Sequence, residues 1–318
     1  MGKEEQLLEG FAASLAGHDP KTIRTYLSSL NGFVSWLAQQ PGGQPFRAEL
    51  LTETAIEGYL DVLATKGRAP RTRSQALTVL RRFCRWAMGE GLMSRNPANR
   101  IARPTVVATA PRELTDEQRY VLKQRVEGEQ STRLTAIFAL AYWAGLRISE
   151  IANLRHADCQ INQRAGVITV IDGKGKKSRT LDLHNKARRA LYDYLQEPPD
   201  SRDARDPASE YTFTSQRAAW LRHQGRPDQL SARGIDHLWR KAKQQASREE
   251  WALIQDITFH DLRHDFAHRA RDAGWHLEEI AVYLGHQTNE GTPAIVTTAR
   301  YTLPSRKQLK QKLRLLGG

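Results

Sequence analysis

Arginine and histidine recur in this chain at spacings that would let them act on one group. In Ala144-Gly-Leu-Arg147-Ile-Ser-Glu150 a glycine ends one apolar segment, an arginine opens the next, and an acid follows three positions on. Such an arginine is ordinarily half of an ion pair, and alone it says little about function. The stretch Thr258-Phe-His260-Asp-Leu-Arg263-His264-Asp-Phe-Ala-His268 is more informative. On a helix His260 and Arg263 share a face at i and i+3, so both can address one anion. His260, His264 and His268 also repeat at i, i+4 and i+8, a metal-ligand spacing. No His-Glu-x-x-His pattern or cysteine cluster accompanies them, so no metal site is expected. His264 is read as a buried histidine satisfied by hydrogen bonds.

Three further boxes follow the same order along the chain. Gly173-Lys174-Gly175 lies in a turn, Leu284-Gly285-His286 comes later, and Thr297-Thr298-Ala-Arg-Tyr301 closes the series. Singly they are undistinguished. Together, in this order and at these separations, they resemble the tyrosine recombinase (phage integrase) family in its Xer-like two-domain form. The resemblance runs from about Leu114 to Leu316, and the preceding segment is similar to that family's core-binding domain. It makes Arg147 and Arg263 the catalytic arginines and Glu150 the supporting acid. Lys174 becomes the hairpin lysine, His260 and His286 the histidines, and Tyr301 the nucleophile. It implies a site-specific DNA recombinase that works through a 3′-phosphotyrosyl link, a free 5′ hydroxyl and a Holliday junction. The implied partners are double-stranded DNA with a recombination site and, on that DNA, a homo-tetramer of chains that are monomers or weak oligomers when free. No cofactor is implied.

The chemistry of these side chains fits that assignment. Cleaving a phosphodiester without a metal requires cations on both non-bridging oxygens, and guanidiniums are permanently charged, planar forks. A tyrosine hydroxyl with an ordinary pKa of about 10 needs local proton removal or an electropositive site before it attacks, and His260 is placed to help. Glu150 would orient its neighbours, and Lys174 on a turn is a reasonable general acid for the departing 5′ oxygen.

The elements that must hold these groups divide at a proline-rich stretch. Residues 1–101 read as a helical bundle, 102–112 as a linker, and 113–318 as a mixed α+β unit. The expected fold is mainly α with a small β-sheet. In the first unit Asp19-Pro20 starts a helix carrying Ile23, Leu27, Leu30, Val34 and Leu37, and Gly42-Gly43 breaks it. Thr54 with Glu57 has the spacing of a capping box, and a third helix from Pro70 turns Leu77, Leu80, Phe83 and Ala87 inward. Thr115 with Gln118 is a second capping box and opens the mixed unit. Helices are expected over Ser131–Trp143, Ile148–Leu154, Lys186–Leu195, Arg233–Ala246, Asp261–Ala273 and Leu277–Tyr283. Gly166–Ile171 and Ser178–Leu183 read as a hairpin around the turn Asp172–Lys177.

Charge points to the same class of partner. Lys and Arg total 48 against 35 acids in 318 residues, a net charge of +13. Neutralised phosphates release counterions, which favours a polyanionic partner over a membrane surface or mere solubility. Lys66, Arg68, Arg71, Arg73, Arg81, Arg82 and Arg85 surround one helix start with no acid between Lys66 and Arg85, and are read as DNA-backbone contacts. With 40% hydrophobic residues, no signal-peptide core and no long apolar run, the chain is expected to be globular, away from membranes, and cytoplasmic at the nucleoid. Its two cysteines, Cys84 and Cys159, build neither a disulfide framework nor a zinc module.

One feature departs from the family pattern. Fifteen positions separate His286 from Tyr301, more than is usual, and the surplus around Gln287–Pro293 reads as a loop. A longer tether would permit delivery of Tyr301 into a neighbouring site, whereas a plain surface loop would keep it in its own. Leu309, Leu313 and Leu316 form an apolar stripe on a basic C-terminal helix, expected to dock on a neighbouring chain. Two other readings share part of this evidence. A type IB topoisomerase would use the same chemistry, and a non-catalytic DNA-binding regulator would explain only the charge and the helices.

Overall fold

The computed structural model describes residues 3–105, 113–171, 178–288 and 290–300. The chain divides into two compact units, residues 1–108 and 109–318.

The first unit is built from four α-helices: α1 (Lys3–Ser14), α2 (Pro20–Leu37), α3 (Glu53–Thr65) and α4 (Pro70–Gly89). At the start of α2 the Asp19 carboxylate accepts from the backbone N–H groups of Lys21 and Thr22, and Pro20 occupies the first turn. Helix α3 corrects an expectation. Its cap is Thr52, whose hydroxyl accepts from the Ala55 N–H, so Thr54 lies inside the helix and the Thr54–Glu57 spacing marks no capping box. Backbone conformation decides this, because Thr52 is the residue still extended. Along α4, Leu77, Leu80, Phe83 and Ala87 are buried, as their spacing predicts. Phe11 of α1, a helix the periodicity did not single out, packs edge-on against Phe83 at 5.4 Å.

The second unit packs helices around a central apolar one. Its elements are α5 (Asp116–Gly128), α6 (Thr132–Ala144), α7 (Ile148–Ala152), β1 (Cys159–Ile161), β2 (Gly166–Ile171), β3 (Ser178–Asp182), α8 (Asn185–Leu195), α9 (Ala218–His223) and α10 (Ala232–Gln244), then α11 (Arg248–Ile254), α12 (Phe259–Asp272), α13 (Leu277–Leu284) and α14 (Ile295–Arg300). Helix α6 is buried nearly all round and contributes Ile137, Leu140, Ala141 and Ala144 to the core. It ends at Gly145, whose φ of 62° suits glycine, and a Cβ there would lie 2.6 Å from Leu284 and 2.7 Å from Phe266. The chain therefore turns sharply at that point, and Arg147 begins the next helix within two residues.

The sheet is antiparallel in the order β1-β2-β3. Ile168 faces Leu181 and Ile171 faces Ser178 across the hairpin, and Ile168, Val170 and Leu181 bury one face in the same core as Ala187 and Leu191 of α8. The expected strands thus form the hairpin, while the short β1 and helices α9 and α11 are additions. Thr115 and Gln118 form the expected capping box on α5. Helix α12 begins at Phe259, earlier than the expected Asp261, and the Asp261 carboxylate accepts from the Thr258 N–H at 2.7 Å. Among the described residues, no helix is long and apolar enough to cross a membrane.

Candidate active site

Glu150 is the centre of the site. It sits in the first turn of α7, where its carboxylate accepts from the Arg147 backbone N–H at 2.8 Å and from Arg147 Nη1 at 2.8 Å. From β3, Arg179 places Nη1 and Nη2 on the two carboxylate oxygens, each at 3.0 Å, a fork on a fork. From α12, Arg263 Nη1 stands 3.7 Å from the same group. Burial alone would push the Glu150 carboxyl upward. The hydrogen bonds and charge of Arg179, then the charges of Arg263 and Arg147, outweigh it and bring the carboxyl down to about 2. Three guanidiniums thus share one carboxylate, leaving the cluster with an excess of two positive charges.

Arg263 is wholly enclosed, with 0% of its side chain exposed. Nη1 donates to the Gly145 carbonyl at 2.6 Å, and Nη2 to the Leu284 carbonyl at 2.6 Å. Nη2 also meets His286 Nε2 at 2.9 Å. On its other side His286 Nδ1 lies 3.0 Å from the Thr298 hydroxyl, which donates to the Ala294 carbonyl at 3.1 Å. These partners assign the tautomer: Nδ1 carries the proton and Nε2 accepts from Arg263. Burial, followed by the charges of Arg263, Arg147 and Arg179, pushes the imidazole down to about 3, so it is neutral at pH 7. His286 thereby links Arg263 to α14, three positions before Tyr301.

His260 stands at the exposed start of α12, its ring edge-on to His264 at 4.6 Å. Lost hydration and then the Arg263 charge lower its pKa, while burial and then His260 bring His264 down to about 4. His268 is buried. Among the described residues, no three His, Cys, Asp or Glu side chains are grouped to hold a metal ion, so the i, i+4, i+8 spacing does not assemble a ligand set. Tyr283, in the Leu-Gly-His box, is a packing residue. Its ring stacks on Phe266 at 5.4 Å, its hydroxyl donates to the Asp182 carbonyl, and burial pushes its pKa up to about 12.

The structure brings together Arg147, Glu150, Arg263 and His286, with His260 beside them. Lys174 and Tyr301 lie outside the described residues, as do Leu309, Leu313 and Leu316. Two contributors were not singled out from sequence. Arg179 reads there only as one residue of a return strand, and Thr298 only as part of the tyrosine box. The extra residues between His286 and Tyr301 close on themselves: the Thr288 N–H donates to the Thr292 carbonyl at 2.8 Å and the Ala294 N–H to the His286 carbonyl at 2.7 Å. Helix α14 then starts at Ile295.

In the first unit the basic residues separate into groups. Arg81 is committed to structure, donating Nε to the Ala98 carbonyl at 3.0 Å and Nη2 towards the Asn99 carbonyl at 3.4 Å, with Ile101 as a third acceptor. At about 100° per residue, Arg71, Thr78, Arg82 and Arg85 fall on one stripe of α4, and Arg73 lies about 200° round from Arg71. Lys66, Arg68 and Arg71 are exposed near the α3–α4 junction. A groove of about 500 Å³ is lined by Tyr26, Thr78, Arg81, Arg82, Arg85 and Arg103 among others. Arg103 falls in the stretch that the sequence reads as the linker. Arg82 lies over the Tyr26 ring at 5.8 Å.

Comparison with known proteins places this arrangement. The sequence model of the Phage integrase family matches residues 112–303, and that of the phage integrase N-terminal SAM-like domain matches residues 8–91. The chain is 30% identical over 314 residues to the tyrosine recombinase XerC of Myxococcus xanthus, covering 96% of this chain and 95% of that protein. It is 28% identical over 319 residues to the tyrosine recombinase XerA of Thermococcus kodakarensis, covering 99% and 98%. Its fold matches a lambda integrase tetramer bound to a Holliday junction, with a TM-score of 0.68 at 16% identity over 94% of this chain and 76% of that one. It also matches a Tn1549 transposon integrase in complex with transposon right end DNA, with a TM-score of 0.69 at 14% identity over 98% and 99%.

Proposed function

Since the chain belongs to the phage integrase family of tyrosine recombinases, and is thus a DNA strand transferase acting in site-specific recombination, we propose how its own residues carry the reaction. The observation that supports the reading most is the convergence of Arg147, Arg179 and Arg263 on the single carboxylate of Glu150. A phosphodiester brings one negative charge, and attack on phosphorus raises the charge on its oxygens. A pre-assembled excess of positive charge stabilises that transition state without reorganising at the moment of reaction.

Arg147 is the direct donor to a non-bridging oxygen, because 32% of its side chain is exposed while Arg263 has none. Arg263 supplies fixed charge beneath it. To donate to phosphate itself, Arg263 must exchange the Leu284 carbonyl or the His286 ring for a phosphate oxygen. His260, neutral at pH 7, accepts the proton of the Tyr301 hydroxyl as that oxygen attacks phosphorus. Lys174 protonates the departing 5′ oxygen. The phosphotyrosyl bond conserves the energy of the broken ester, so the 5′ hydroxyl of a second strand reverses the steps without ATP. Four chains on two duplex sites exchange strands in this way through a Holliday junction.

The first unit grips duplex DNA through Arg71, Arg82, Arg85 and Arg103, with Lys66 and Arg68 at the edge. Arg81 is not assigned to DNA, since its guanidinium serves the chain's own carbonyls. A duplex carrying a recombination site and a nick beside the cleavage position tests the assignment. The parent protein should accumulate a covalent complex on a denaturing gel, and Tyr301→Phe should form none while binding the same DNA. Covalent product from Tyr301→Phe refutes the assigned nucleophile. Relaxation of a plasmid lacking the site would point to a topoisomerase instead.

A further inference from the structure

Arg179 is engaged at every nitrogen of its guanidinium. Nη1 and Nη2 hold the two oxygens of Glu150, and Nε donates to the Tyr283 carbonyl at 2.9 Å. Only 12% of the side chain is exposed. Its path is built into the fold, because a Cβ on Gly285 would stand 2.7 Å from Nη1. Gly285 takes a φ of 68°, so glycine there serves the helix end and leaves room for this guanidinium together. Arg179 therefore joins three pieces of chain that are remote in sequence: the strand after the lysine hairpin, the first turn of α7, and the end of α13 next to His286.

We propose, resting on the strand-transfer reading above, that Arg179 is a positioning residue of the reaction, acting through Glu150 to fix where Arg147 presents its guanidinium. Arg147 by itself holds Glu150 through one Nη and its backbone N–H. Those two bonds fix the carboxylate relative to Arg147 only, so without an anchor from elsewhere in the chain the carboxylate and the Arg147 guanidinium could shift together. With both oxygens taken by the Arg179 fork, the carboxylate plane is set and the Arg147 guanidinium is set against it. A displacement of about 1 Å in such a group costs about 10²-fold in rate. Arg179 itself is turned inward, with each of its three guanidinium nitrogens bonded to the chain.

The test is a cycle of Arg179→Gln, Glu150→Gln and the double variant, read as single-turnover formation of covalent complex on the nicked duplex. Arg179→Gln should slow cleavage by about 10²-fold with DNA affinity nearly unchanged. If Arg179 acts through Glu150, the double variant should be no slower than Glu150→Gln alone. The acid limb of Arg179→Gln should also lie at higher pH than that of the parent, because Glu150 loses the partner that most lowers its carboxyl. Arg179→Lys, which keeps the charge without the fork and is the fallback should the glutamine variant not fold, should rescue poorly. Multiplying defects in the double variant, parental cleavage by Arg179→Lys, or a rate loss matched by affinity with an unaltered pH profile would each overturn the proposal. Loss of the strand-transfer reading is seen separately, as covalent product from Tyr301→Phe.

Discussion

Glu150→Gln removes the carboxylate that three guanidiniums share while keeping the size of the side chain. Its cost can be worked from two directions. The carboxyl is held at about 2 against an ordinary 4.5, a difference worth about 3 kcal/mol. Only 4% of the side chain is exposed, so solvent screening takes little from that figure. Independently, deleting one member of a buried ion pair costs about 3–5 kcal/mol, since the remaining charges are left uncompensated. For a unit of this size a loss of about 3 kcal/mol lowers the melting temperature by roughly 6–12 °C. The pH dependence supplies a sharper check. A carboxyl whose folded pKa is depressed contributes its stability above the ordinary 4.5, and that contribution fades as pH falls towards 2. Urea unfolding of the full chain should show the whole gap between parent and variant at pH 7 and a clearly smaller one at pH 3.5. A gap under about 1 kcal/mol at pH 7, or one that is the same at both pH values, would refute the electrostatic account of this site.

Other outcomes follow from the same geometry. Arg82→Ala and Arg85→Ala should each weaken DNA binding across sequences and reduce the salt slope by about 1, read from gel shifts at several salt concentrations. Arg81→Ala should lower thermal stability and leave that slope alone, because its bonds go to the Ala98 and Ile101 carbonyls; a changed slope would return Arg81 to the DNA contacts. Mixing Tyr301→Phe with Arg263→Ala chains on a half-site duplex should yield no covalent product, and deleting Thr288–Thr292 should leave cleavage within a few-fold of parent. Restored cleavage in the mixture would show delivery of the tyrosine to a neighbouring site.

Much of this architecture was legible because it is local. Gly145, the Thr115–Gln118 box, the α4 stripe and the hairpin strands each depend on residues a few positions apart. Helix α11 carried its own signal, with Ser247 and Glu250 forming a capping box. The Thr54–Glu57 spacing shows the limit of such signals, since a neighbouring threonine in extended conformation took the cap. Arg179 was not legible for a different reason. A basic residue on a strand next to a glycine-rich turn looks like any exposed strand position. Its meaning comes from Glu150, 29 positions away, and from the Tyr283 carbonyl, 104 positions away. The seven basic residues from Lys66 to Arg85 are recognisable in sequence as a group, yet their separate roles depend on which carbonyls and which helix face each one meets.

The surplus between His286 and Tyr301 shows why a count of residues is a poor measure of reach. Extended chain spans about 3.3–3.6 Å per residue, so each added residue lengthens a tether only if the chain stays extended. Here the chain leaves at His286 and returns to it at Ala294, joined by a 2.7 Å hydrogen bond between the His286 carbonyl and the Ala294 N–H. The described residues between Gln287 and Pro293 are exposed, and the segment adds almost no distance along the path to α14. From Ala294 the path continues directly into α14, and Thr298 of that helix is held on the His286 ring at 3.0 Å. Because the same ring accepts from Arg263, the arginine, the histidine and the helix leading to Tyr301 are connected within one chain. Moving α14 away from the His286 ring would break the Thr298 contact inside a buried cluster, where each unsatisfied polar group costs about 1–3 kcal/mol. This connection is the reason a mixture of Tyr301→Phe and Arg263→Ala chains is expected to give no covalent product.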